Sequence, residues 1–334
     1  MSAGTAAPVT VPVGAYLEAE RRVVDRYGID AERRMVDVPA IDGEAGVLVS
    51  GHGPAVMMVV GGGPPVGIWI PLMAELTGFT LYAVELPGLG LTSPTRFTVG
   101  SLRHDAVTFL DGVAEGLGLE AATPWISQSM GALWTFWLAL DRPERVRAIV
   151  SIGCPATLLH TSAPFPFRLA STRAVGRLLH RLDPPSSRQV DRFIRMAGEA
   201  FADQDEMRRL FLAVERLPTY GRSLRDLVHA AVRLRGARSD IVLSEPQLAG
   251  VNQPVQLIWG ERDPFGRPAV GRRATRLLPD AELHVVPGGH AASIVDDPSR
   301  VASLVAPFLA RHGTTPEVTL HRRSPATTAS SEGR

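Results

Sequence analysis

Thr123-Pro124-Trp125-Ile126-Ser127-Gln128-Ser129-Met130-Gly131, continuing as Ala132-Leu133-Trp134-Thr135-Phe136-Trp137-Leu138-Ala139-Leu140, decides how this chain folds. The apolar run before Ser129 suits a buried strand, and the stretch from Gly131 to Leu140 suits a buried helix. Between them the chain must turn sharply, which holds the Ser129 side chain clear of the backbone and over a helix N-terminus. A serine so placed is a candidate nucleophile. Unaided it is a poor one, so the reading requires a histidine and an acid elsewhere. Asp263 and His290 are the candidates.

Outward from this turn, strands are expected at 55–60, 80–84 and 146–152, with helices at 69–76 and 106–116. Strand and helix alternate as in an α/β domain. The 146–152 run lacks polar alternation, as expected where helices cover both sheet faces. Upstream, 35–38 and 45–50 read as strands around Asp42-Gly43, a favourable hairpin turn, and 14–26 reads as a short helix carrying Tyr16, Leu17, Val23 and Val24. Beyond Pro155 the pattern changes: 163–247 offers helical stretches at 167–181, 188–200, 205–214 and 224–234 and no convincing strand. Pro184-Pro185 separates the first two. Strand signals resume at 255–259 and 283–286, and a last helix covers 298–311. The expected organisation is an N-terminal arm and helix (1–32), an α/β core in two segments (33–162 and 248–311), a helical lid (163–247) and a Ser/Thr/Pro/Arg-rich flexible tail (312–334).

Composition narrows the chemistry. The chain has 334 residues, a formal net charge of +1 and 35 basic residues, every one of them arginine. Without lysine there is no Schiff base, no phosphate-loop lysine and no Ser-Lys dyad. The near balance of signs gives no reason to expect nucleic acid. Cys154 is the single cysteine, which rules out an intrachain disulfide and a cysteine-rich metal site and fits a reducing, cytoplasmic setting. The first residues lack the basic-then-apolar order of a secretory signal. The uncharged window 54–74 is interrupted by Gly61-Gly62-Gly63-Pro64-Pro65, which reads as a strand ending in a loop rather than a stable membrane insertion. That glycine run also lacks the spacing of a dinucleotide fingerprint. The expectation is a small-molecule substrate with no cofactor and no metal; a homo-oligomer is compatible with the sequence.

At Ser127-Gln128-Ser129-Met130-Gly131 the chain resembles the α/β-hydrolase superfamily, whose elbow reads Gly-x-Ser-x-Gly, with Ser127 replacing the first glycine. The resemblance extends over about 33–311. Glu85-Leu86-Pro87-Gly88-Leu89-Gly90-Leu91-Thr92 is similar to that family's Asp-x-Pro-Gly-x-Gly-x-Ser segment, with Glu85 and Thr92 as departures and Glu85 expected to cap backbone donors. The run from Pro54 to Gly62 resembles the strand leading to the family's His-Gly oxyanion loop, with Val60 replacing histidine. By this resemblance the N–H groups of Gly62 and Met130 form an oxyanion hole; a one-residue shift would nominate Gly63. Val255 to Pro264 resembles the acid loop, where Asp263 is favoured over Glu261, and Val285 to Ala292 resembles the Gly-His loop carrying His290. The other histidines are poorer candidates by position.

The resemblance implies an α/β fold with an eight-stranded, mostly parallel sheet and an inserted helical lid. It also implies a Ser129-His290-Asp263 triad and acyl-enzyme hydrolysis of an ester-like or other activated carbonyl substrate, small and partly hydrophobic. A serine at the elbow argues against the aspartate-nucleophile mechanisms of similar enzymes. Carbon-carbon bond hydrolase and thioesterase remain alternatives, as does a non-catalytic small-molecule binding protein, motivated by Val60, Glu85 and Ser127. In the lid, Phe165, Phe167, Phe193, Met196 and Phe201 favour a hydrophobic substrate, although Phe193, Ile194 and Met196 read first as core packing. Arg168, Arg173 and Arg177 read as solvent-exposed.

Overall fold

The computed structural model describes residues 11–172, 175, 178, 184–201 and 203–313. Strands β1 (Ala31–Val38) and β2 (Gly43–Ser50) pair antiparallel, with Ala31 opposite Ser50 and Val38 opposite Gly43. The chain reverses between them through a 3-10 turn, Pro39–Ile41, that ends on Asp42 at φ 51°, a left-handed conformation that aspartate tolerates. β2 is also antiparallel to β4 (Thr80–Val84). From there the sheet is parallel, through β3 (Ala55–Val59), β5 (Thr123–Gln128), β6 (Val146–Ile152), β9 (Val255–Gly260) and β10 (Ala281–Val286). The eight strands lie in the order β1-β2-β4-β3-β5-β6-β9-β10, so β5 is central. All six of its residues are buried, which is why its sequence shows no alternation. This is the mostly parallel α/β sheet that the resemblance implies.

Helices α2 (Ile70–Glu75), α3 (Leu102–Gly116), α4 (Met130–Asp141), α10 (Pro268–Leu277) and α11 (Pro298–His312) belong to the sheet-bearing segments. The insertion between β6 and β9 carries α5 (Phe165–Ala170), α6 (Ser187–Met196), α7 (Asp205–Glu215), α8 (Tyr220–Ala231) and α9 (Glu245–Ala249). It also holds a hairpin, β7 (Val232–Arg233) against β8 (Gly236–Ala237), where the sequence suggested only helix. The Val232 to Leu234 stretch continues the helical apolar spacing of α8, but the chain turns at Gly236, whose φ is +131°. Most of 173–183, including Arg173 and Arg177, lies outside the described residues, as do the first ten residues and the tail beyond Gly313. No helix among the described residues is long and apolar enough to cross a membrane.

The N-terminal helix α1 (Val11–Tyr27) buries Tyr16, Ala19, Glu20 and Val23, the spacing of one helical face. That face meets a buried polar cluster. The Tyr16 hydroxyl donates to Glu85 Oε1 at 2.6 Å, while Arg33 pairs with Glu85 at 3.0 Å and with Glu20 at 2.5 Å. The other Glu85 oxygen accepts from Leu91 N (2.6 Å) and Thr92 N (3.2 Å). Glu85 therefore caps the loop after β4, as expected, and also anchors α1 to the sheet. Burial first, then the Glu85 charge, pushes the Tyr16 phenol well up, so it remains a donor. Tyr16→Phe removes one partner of a fully buried carboxylate and should cost about 1–3 kcal/mol. This is read as a lower urea midpoint at unchanged slope.

Candidate active site

Ser129 links β5 to α4 at φ 53° and ψ −110°, a backbone conformation that a non-glycine residue holds only under constraint. The constraint is visible at Gly131. A Cβ there would stand 2.6 Å from the carbonyl oxygens of both Val59 and Val60, so α4 begins hard against the end of β3 and the chain has little room to turn. Ser127, where the family pattern has glycine, is fully buried, and its hydroxyl has no hydrogen-bond partner among the described residues. The glycine loop after β3 passes over the elbow: a Cβ at Gly61 would lie 3.2 Å from Ser129 Cβ, and one at Gly62 would lie 3.6 Å from Met130 Cβ. Met130 is the first residue of α4, so its N–H has no intrahelical partner. Gly62 and Met130 both line the cavity above Ser129. Gly63 instead faces the insertion, its carbonyl accepting the Tyr220 hydroxyl at 2.6 Å.

Asp263 and His290 lie on the loops after β9 and β10 and are both buried. His290 Nδ1 is 3.0 Å from each Asp263 carboxylate oxygen. A carboxylate only accepts, so Nδ1 carries the hydrogen and the neutral ring keeps Nε2 as its basic nitrogen. Asp263 also accepts from Cys154 N and Phe265 N, at 2.8 Å each. Burial alone would raise its carboxyl, but the adjacent His290 and these two amides outweigh burial and hold it below its ordinary value. Glu261, the competing carboxylate, is exposed. Phe265 stacks on the imidazole, with centroids 4.0 Å apart and planes at 28°. Gly153, at φ +69°, lets the end of β6 meet the histidine loop, where a Cβ would overlap the His290 carbonyl.

Ser129 and His290 face the same cavity of ≈ 100 Å³. His290 Nε2 is buried and bonded to no described residue, so the histidine and acid are joined while serine and histidine share a wall without a hydrogen bond between them. Among the lid aromatics, Phe167, Phe193 and Phe201 line the cavity, Ile194 does so while remaining buried, and Met196 does not; Phe165 is exposed. The Phe193 and Ile194 pair therefore packs and lines the wall at once. Arg168 lies over the Phe165 ring and donates to Leu234 O. Of the other histidines within the described residues, His52, His104 and His160 are exposed, and His229, His284 and His312 are half-buried away from the cavity. The sequence reading missed Phe265 and Glu199, both on the cavity wall. Among the described residues no group of three or more His, Cys, Asp or Glu is arranged to hold a metal ion.

A family model described as the alpha/beta hydrolase fold matches residues 54–297. A pimeloyl-acyl-carrier-protein methyl ester esterase from Shewanella sp. (strain MR-7) is 24% identical over 271 residues, covering 78% of this chain and 92% of the relative. Among solved structures, a carboxylesterase from Bacillus subtilis superposes with a TM-score of 0.73 at 21% identity, covering 90% of this chain and 99% of its own. The naproxen esterase of the same organism does so with a TM-score of 0.70 at 19% identity, over 91% and 100%.

The Asp263 environment generates a stability prediction. A carboxyl whose folded-state value is depressed contributes stability that is present above its unfolded value and lost as pH falls through the folded one. Asp263→Asn should therefore give a flatter stability curve than the parent below about pH 4, measured by urea unfolding across pH 3–6. Identical acid slopes for the two proteins would contradict this.

Proposed function

The chain belongs to the α/β-hydrolase family, and we propose that it is a serine hydrolase that cleaves a small, partly hydrophobic ester or other activated carbonyl compound through an acyl-enzyme on Ser129. The observation that carries this reading is the buried His290–Asp263 pair opening on the same cavity as the strained Ser129. Family membership and the esterase relatives point to hydrolysis of small activated carbonyl substrates. The remaining steps follow from general chemistry applied to these side chains.

His290 Nε2 takes the Ser129 hydroxyl proton as Oγ attacks the substrate carbonyl. The negative charge on the tetrahedral oxygen falls between the Gly62 and Met130 N–H groups. Protonated His290, oriented by Asp263, gives its proton to the leaving group as the scissile bond breaks. Water then enters, loses a proton to His290 and attacks the acyl carbon; as the bond to Ser129 Oγ breaks and the acid leaves, His290 returns that proton to Oγ. The contact between Ser129 and His290 has to tighten when substrate seats, as is common for such pairs. Residues 163–247 act as the lid, on a core of 33–162 and 248–311. At ≈ 100 Å³ the cavity is smaller than the roughly 150 Å³ apolar cavity that takes benzene, which supports a short acyl or leaving group beside the elbow. Its aromatic wall favours an apolar one.

Ser129→Ala should lower turnover by about 10⁴-fold or more with the fold intact, and His290→Ala and Asp263→Asn should act on the same step, with losses that do not add. Labelling by an active-serine fluorophosphonate at Ser129, a kinetic burst on an ester panel and the mass of a trapped acyl-enzyme test the scheme. Folded Ser129→Ala turning over at the parental rate would sink it, as would stoichiometric ligand binding without product across the ester and thioester panel.

A further inference from the structure

Two amides of the histidine loop are held by the lid, not by the sheet. His290 N–H donates to Ala197 O at 2.8 Å, and Ala291 N–H donates to Glu199 Oε1 at 2.6 Å. The backbone donors of two successive residues thus end on one short segment that follows α6. The approach is backbone on backbone: a Cβ at Gly289 would overlap Ala197 O, and Gly198 turns at φ +78°. Two further bonds extend the seam, Phe201 N–H to Asp296 Oδ2 at 3.2 Å and Gln204 Nε2 to Val295 O at 3.5 Å.

Glu199 is an expensive residue for packing alone. It is 7% exposed on the wall of an otherwise largely apolar cavity, where an ionised carboxyl is costly unless donors satisfy it. Burial raises its carboxyl and the nearby Asp296 adds to the rise, while the amides of the histidine loop and His290 itself oppose it. The Ala291 amide is the donor bonded to Glu199 here, and the reciprocal effect is that Glu199 fixes that stretch of backbone. The sheet holds the imidazole through Asp263, and the lid holds the chain from which the imidazole projects.

Building on the reading of Ser129 and His290 as nucleophile and base, we infer that Glu199 is a positioning residue: by holding the Ala291 amide, next to His290, it makes the placement of His290 depend on the lid being seated. A lid that lifts off the cavity releases the base at the same moment, so closing the substrate pocket and assembling the catalytic pair become one event.

The test compares full-length Glu199→Leu and Glu199→Gln with the parent, with turnover normalised to fluorophosphonate-titrated sites. Misplacing a reacting group by about 1 Å can cost 10²-fold, so Glu199→Leu should lose about 10- to 100-fold in kcat with KM moved less than about threefold. Glu199→Gln, which keeps an acceptor oxygen at the same reach, should recover part of the loss. Amide exchange in the peptide spanning Gly289 to Ala291 should quicken in Glu199→Leu. Parental kcat per titrated site, or a loss matched only by fewer titratable sites, would overturn the inference. If the parent shows no Ser129 adduct, the hydrolase reading falls by itself. The exchange measurement still decides whether Glu199 holds the histidine loop, and unchanged exchange in Glu199→Leu would reject that too.

Discussion

A helix that starts against the end of a strand, with a glycine at the contact, sets the geometry on which the rest of this molecule depends. Gly131 lets α4 approach the Val59 and Val60 carbonyls, and the short path from β5 then forces Ser129 to φ 53°. Such strain costs on the order of 1–3 kcal/mol. Burial of α4 outweighs it: Leu133, Trp134, Phe136, Trp137 and Leu138 are all essentially inaccessible, and each large apolar side chain so buried contributes about 1.5–3 kcal/mol. The elbow is therefore a by-product of packing that the core would favour anyway, which is how a strained serine persists without destabilising the fold.

Three buried carboxylates show how differently the same burden can be met. Glu85 is neutralised by Arg33 and held by Tyr16 and two loop amides, a structural arrangement that ties α1 to the sheet. Asp263 has His290 and two amides, enough to outweigh burial and keep it ionised. Glu199 is bonded to the Ala291 amide and pairs with no arginine among the described residues, and burial prevails. The first is a rigid anchor. The second fixes the orientation of the His290 ring. The third is the least satisfied, and its partner is the backbone of the loop that carries His290.

Much of the fold was legible in the sequence because the central strands are buried on both faces and leave continuous apolar runs: 80–84 and 146–152 coincide with β4 and β6, and the elbow motif fell between β5 and α4. Readings failed where burial is thin. Helix α10 was not anticipated, since its buried positions include Gly271 and Ala274; Gly271 lets Trp259 approach, and small residues carry no apolar signal. Helix α8 begins at Tyr220 rather than 224 because Tyr220, which binds the Gly63 carbonyl, is anchored by a distant loop. At the site, Asp263 and His290 were recoverable from the loops around them. Glu199 was not, because a carboxylate in Ala197-Gly198-Glu199-Ala200 looks like any solvated helix end until the histidine loop is laid against it.

The cavity wall and the His290 ring also share one aromatic run. Phe265 stacks on His290 and contacts Phe167 at 5.8 Å between centroids; Phe167 meets Phe193 at 5.9 Å, Phe193 meets Phe211 at 6.1 Å, and Phe211 meets Phe201 at 5.6 Å. Each such pair contributes about 0.5–1.5 kcal/mol beyond its buried area, and of these pairs Phe167–Phe265 is the one that joins the insertion to the loop after β9. Of these rings only Phe265 stacks on the imidazole, and Phe167, from the insertion, reaches it through Phe265. Because Phe265 follows β9 while Phe167, Phe193 and Phe201 belong to the insertion, a change in the cavity wall reaches the His290 ring through a single stacked contact.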